Sequence, residues 1–181
     1  MLRAFTHLIV GWLLIAVTGG IAEVLGLSIV LPATSAVVVA HAAFSGEREL
    51  VPGLAVAVSL GYIEDLHQGA PTGVLSLSFA LAFLLLHWAA GRIAVRGWTM
   101  RALVSLMAVV LVDAATLAIL LALAEPLGIR TGALVPMLVG VRWHALATVL
   151  VAPPVWALLA RIFDLFRLEP RPPSDLHLDA R

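Results

Sequence analysis

Glu64, Asp65, Asp113, Arg142 and His144 all stand inside long apolar runs. In lipid such groups cost at least a few kcal/mol, and they face a protein interior or a water-filled cavity. The chemistry open to them there is the binding of a polar substrate or the passage of protons. The plainer reading is a buried pair, or a carboxylate–hydroxyl contact, that fixes helix packing. It is preferred because no repeated acidic ladder marks a pathway. At ~1.5 Å of rise per residue, Arg142 lies roughly 10 Å below the outer boundary of its segment, Glu64 and Asp65 about 6–9 Å, and Asp113 about 16 Å. Depth therefore predicts that Arg142 is held by the Glu64/Asp65 pair rather than by Asp113. Snorkelling of Arg142 toward the interface is the alternative. Neighbouring acids on a helix point about 100° apart, so only one of the two faces a given partner directly.

The other reactive types offer less. His41 and His87 fall toward the same end of two apolar segments, which invites axial haem ligation, but that needs two facing rings at one depth. Single histidines at helix ends more often serve as interfacial polar groups, and no haem is expected. His67 has no metal-ligand spacing with His144. Cysteine is absent, which excludes disulfides, zinc-thiolate sites and iron–sulfur clusters. Neither a Gly-x-Ser-x-Gly elbow nor a His-Glu-x-x-His pair occurs. The expectation is a non-enzymatic protein without cofactor or metal.

The elements that must position these residues are helices in a membrane. Hydrophobic types make up 62% of the 181 residues and charged types 12%, against roughly half and a quarter in a soluble domain. Apolar runs near 20 residues then read as spans. They cover about 6–23, 26–44, 51–68, 73–92, 102–124 and 135–160, within a transmembrane domain of 1–165. The separators are turn formers or charges: a tight turn at Glu23–Leu27, Ser45–Glu49, the Gln68–Gly73 stretch, a basic loop from Arg92 to Arg101, and a longer connection opening at Glu125-Pro126. No period-2 alternation dominates, which argues against a barrel. The first run lacks a small-x-small cleavage site and reads as a retained helix rather than a signal peptide.

All positive charge is arginine, and the formal net charge is zero, so no global field for nucleic acid exists. With the N-terminus inside, Arg3, Arg48, Arg92, Arg96, Arg101, Arg161, Arg167, Arg171 and Arg181 are cytoplasmic, and only Arg130 and Arg142 fall outside. That asymmetry predicts both termini in the cytoplasm and an even number of spans. The tail 166–181 is polar and Pro-rich and is expected to be disordered.

One stretch goes beyond generic membrane sequence. Gly61-Tyr62-Ile63-Glu64-Asp65-Leu66-His67-Gln68-Gly69-Ala70-Pro71-Thr72-Gly73-Val74 resembles the signature of the rod shape-determining protein MreD family. That family shows Gly-x-x-x-Asp-Leu at the end of its third helix and a Gly-x-Pro-x-Gly-like turn. A long apolar helix follows, closed by a basic loop. Gly61, Asp65, Leu66, Gly69, Pro71 and Gly73 fall on the matching positions. Glu64 departs from a usually apolar position, and His41 stands where an aromatic is common.

The resemblance implies an all-α, six-transmembrane-helix bundle similar to the substrate-binding subunits of energy-coupling-factor vitamin transporters. It further implies a bacterial cytoplasmic membrane protein that acts with an MreC-like partner in cell-shape maintenance. A RodA-like polymerase, its class B penicillin-binding transpeptidase and an MreB-like filament would be contacted more indirectly. Asp65 becomes the packing-facing acid, and Glu64 is left to reach toward headgroups or a neighbour.

Read physically, Gly69 can cap the helix in the left-handed region, and Pro71 and Gly73 tighten the turn. Asp65 then accepts bonds either from the amides of that turn or from a donor across the bundle such as Arg142. The rival function is a vitamin-type transporter subunit, which should gather aromatic and polar residues in one outer pocket. The outer halves here are mostly Ala, Leu and Val, with Tyr62 the sole tyrosine, and this favours the scaffold. Gene neighbours separate the two: a cell-wall cluster against an ATPase pair.

Overall fold

A computed structural model describes residues 1–26, 31–45, 50–68, 71–125 and 135–166. It holds six helices: α1 (Leu2–Leu25), α2 (Thr34–Phe44), α3 (Leu50–Gln68), α4 (Val74–Ala90), α5 (Gly97–Leu123) and α6 (Val135–Leu165). Three of them contain stretches long and apolar enough to cross a membrane, at Leu2–Val24, Gly97–Leu123 and Gly140–Leu165, and α2 and α4 are shorter apolar helices. The tail from 167 onward lies outside the described residues.

The ends depart from expectation for local reasons. Helix α1 runs through the turn expected at Glu23 and stops at Gly26, which takes φ 66°. A glycine in the left-handed region there lets its N–H reach back to the last carbonyls. Helix α2 is much shorter than the 26–44 segment, because residues 31–33 are not helical. Pro32 has no N–H and biases Leu31 away from helical torsions. Helix α5 begins at Gly97, so the basic loop is shorter than Arg92–Arg101; Arg96 is extended, and the helix starts directly after it. Helix α6 continues past 160 through Arg161 and Asp164, since charged residues halt an apolar run without halting a helix. Pro153 and Pro154 lie inside it, depriving the Val149 and Leu150 carbonyls of their usual donors.

Helix α2 is the hub. It packs against all five other helices, and Thr34 to Ala43 are buried without a break. A helix made apolar all round belongs in an interior, and the Val and Ala side chains of α2 keep it thin enough to be surrounded.

The burial pattern inverts that of a soluble protein. Leu150, Trp88 and Leu85 are exposed, whereas His7, Ser35, Asp65, Ser78, Ser105 and Thr148 are buried. Several of the inward polar groups pair with one another. Thr116 Oγ1 donates to Ser78 Oγ at 2.9 Å, and Trp156 Nε1 donates to Ser105 Oγ at 3.0 Å. Outward apolar and inward hydrogen-bonded surfaces are what a hydrocarbon solvent selects.

Candidate functional site

Asp65 is the most heavily bonded side chain of the motif. It is 1% exposed. Its Oδ2 accepts from the Gly73 amide at 2.8 Å and from the Ser76 amide and hydroxyl at 3.3 Å, and its Oδ1 accepts from the Leu75 amide at 2.9 Å. These donors belong to the first turn of α4, whose N–H groups have no partners within their own helix. A carboxylate there also meets the positive end of the helix dipole. Asp65 thus staples the start of α4 to the end of α3; of the two donor sets open to it, the turn amides are the ones used.

The surrounding glycines serve the same hairpin. Gly73 takes φ 98°, and the Pro71 carbonyl accepts from the Val74 amide at 3.2 Å. A Cβ on Gly61 would stand 2.7 Å from the Leu75 carbonyl oxygen and from Ser76 Cα, so only glycine lets α3 come this close to α4. Gly69 lies outside the described residues.

Glu64 does not reach outward. The Ser35 hydroxyl of α2 donates to its Oε1, and Gln68 Nε2 donates to Oε2 at 3.2 Å. Arg142 corrects the depth argument. Its guanidinium pairs with neither acid of α3; the residue is exposed, with its guanidinium 5.8 Å from the centre of the Trp143 ring. Swinging outward costs less than desolvating a guanidinium against a carboxylate already bonded by amides. Asp113, mid-way along α5, is met by His144, whose Nδ1 lies 3.5 Å from Oδ2. That oxygen is shut off from solvent with no hydrogen bond.

Toward the opposite end of α1, His7 and His41 meet: Nε2 of His7 lies 3.0 Å from Nδ1 of His41, and Nδ1 of His7 lies 3.0 Å from the Arg3 carbonyl. A carbonyl only accepts, so His7 carries its proton on Nδ1 and His41 donates to it. Phe163 and Trp156 pack on these rings. His41 therefore faces His7, and His87 instead stacks on Phe83.

Sequence reasoning missed one gathering altogether. A cleft of ≈ 710 Å³ opens where α1 and α3 end and α2 begins. Glu23, Thr34, Glu64, His67, Gln68 and His144 line it, with Gly19 and Gly20 among its small-residue walls. These polar residues come from α1, α2, α3 and α6, so no spacing within one segment announces them. The only clue was that each sits near the same end of its apolar run. Among the described residues, no group of three His, Cys, Asp or Glu could hold a metal ion.

Comparison with protein-family models, curated proteins and solved structures found no match for this chain.

Proposed function

We propose that this chain is a non-enzymatic membrane scaffold of the MreD type, a six-span bundle with both termini in the cytoplasm of a bacterial cell. It acts with an MreC-like membrane-anchored partner in control of peptidoglycan synthesis. The RodA-like polymerase, its transpeptidase and an MreB-like filament stand further along the same assembly.

The observation that carries the reading is the stapled α3–α4 hairpin. Gly61, Asp65 and Gly73, which carry the resemblance, are the residues whose geometry ties α4 to α3. Helices tied together in this way suit a part that other proteins dock against. The exposed arginines of the loop after α4, Arg92 and Arg96, fit the proposed orientation, with Arg92 stacked 3.8 Å from the centre of the Trp88 ring, a pairing suited to a membrane interface.

One observation favours the rival, a solute-binding transporter subunit: polar side chains do converge on one cleft. The aromatic residues expected of such a pocket are not among its described lining residues, which keeps the scaffold ahead. Copurification of the tagged protein, followed by identification of its partners, tests the choice. Recovery of an MreC-like protein is expected, and recovery of an ATPase pair in its place would overturn the scaffold.

A further inference from the structure

The cleft offers hydrogen-bond acceptors, and several of the donors around it are already spent within the protein. His67 Nδ1 lies 2.8 Å from the Ile63 carbonyl, so that nitrogen carries the proton and the neutral ring keeps Nε2 as an acceptor. His144 Nδ1 lies 3.5 Å from Asp113 Oδ2. Gln68 spends an N–H on Glu64, and Thr18 spends its hydroxyl on the Leu14 carbonyl at 2.7 Å. Glu64 has capacity left: its carboxylate takes about four hydrogen bonds and receives one from Ser35 and one from Gln68. Glu23 adds a second acid, and no arginine is among the described lining residues.

The volume lies within the usual range for small-molecule sites, roughly 300–1,000 Å³. Its α1 wall is held open by glycine: a Cβ on Gly19 or Gly20 would meet nothing within 4 Å. An acidic, acceptor-rich cavity with open walls asks for a cation that brings its own N–H donors.

We propose that this cleft binds a primary ammonium group, with Glu64 as its principal acceptor and His67 Nε2 as a second acceptor beside it. A phosphatidylethanolamine headgroup and a free small amine offer the same ammonium, and the site as built takes either. Binding needs no protein partner, so it stands apart from the scaffold role and survives the failure of that role.

The test uses the full-length protein. Native mass spectrometry reads which lipid stays bound after purification from mixed phosphatidylethanolamine and phosphatidylglycerol. Calorimetry on lipid-depleted protein then reads ethanolamine against its uncharged form, N-acetylethanolamine. Preferential retention of phosphatidylethanolamine identifies the lipid source, and heat from ethanolamine alone identifies the free amine. Glu64→Gln should weaken whichever binding is seen about tenfold or more, near 1.4 kcal/mol per decade. Gly19→Leu should weaken it by filling the cleft, and because its side chain enters open space the melting temperature should hold. Wild-type protein that binds neither probe would overturn the proposal, as would binding unchanged in a folded Gly19→Leu variant.

Discussion

At the scale of single residues, the two acids of α3 divide their work as the 100° step between neighbours requires, one toward α4 and one toward α2. Replacing Asp65 by alanine strands the Gly73, Leu75 and Ser76 donors at once, and a stranded buried donor costs about 1–3 kcal/mol. Only the Leu75 donor is fully buried, so Asp65→Ala should lose about 1–3 kcal/mol, read as a fall in the folded fraction by fluorescence-detected size exclusion. Asp65→Asn should fall between, because its oxygen can keep the Oδ2 set while its amide opposes the Leu75 N–H. Equal stability of Asp65→Ala and wild type would refute the staple. Arg142→Ala, at an exposed position, should change stability by less than about 0.5 kcal/mol. The presence of Asp65 at a critical turn was legible from Gly61, Pro71 and Gly73 around it. The fate of Arg142 was not, because depth along a helix says nothing about which way a flexible side chain leaves it.

At the scale of elements, five of the six segments were legible to within a few residues at most ends, since apolar length and turn formers are local signals. Helix α2 was not, because its start depends on another helix. The Ala33 N–H donates to Thr148 Oγ1 of α6 at 2.9 Å, and that hydroxyl also donates to the His144 carbonyl at 2.7 Å. Thr148→Val keeps the shape and removes this acceptor, so it should cost about 1–3 kcal/mol in a thermal melt. A melt identical to wild type would show that α2 starts without help from α6. Gly61→Ala drives a methyl into the backbone of α4 and should cost about 1–3 kcal/mol through overpacking. Gly19→Ala meets open space and should be neutral or stabilise by up to about 1 kcal/mol. Similar losses at both glycines would remove the argument that close α3–α4 approach matters.

At the scale of the whole molecule, the arginine asymmetry leads to a topology that fusions can check. Reporters at residue 181 and within 45–50 should read as cytoplasmic, and reporters within 68–73 as external. An external C-terminus would break the six-span arrangement. The membrane character was legible from composition alone, whereas the cleft was not, because it exists only once four helices bring their ends together.

The encasement of α2 bears on how the chain enters a bilayer at all. Eleven helical residues extend only about 16 Å, roughly half the hydrocarbon thickness. Non-helical backbone like that of 31–33 is tolerated at membrane depth only when protein surrounds it. In the proposed six-span arrangement, α2 leaves the ribosome well before α6, yet its shelter is complete only when α6 brings Thr148 to it. Synthesis order and settling order then run opposite ways. Until α6 arrives, the centre of the bundle is the part least suited to lipid, and a chain cut short before α6 should be a substrate for membrane quality-control proteases.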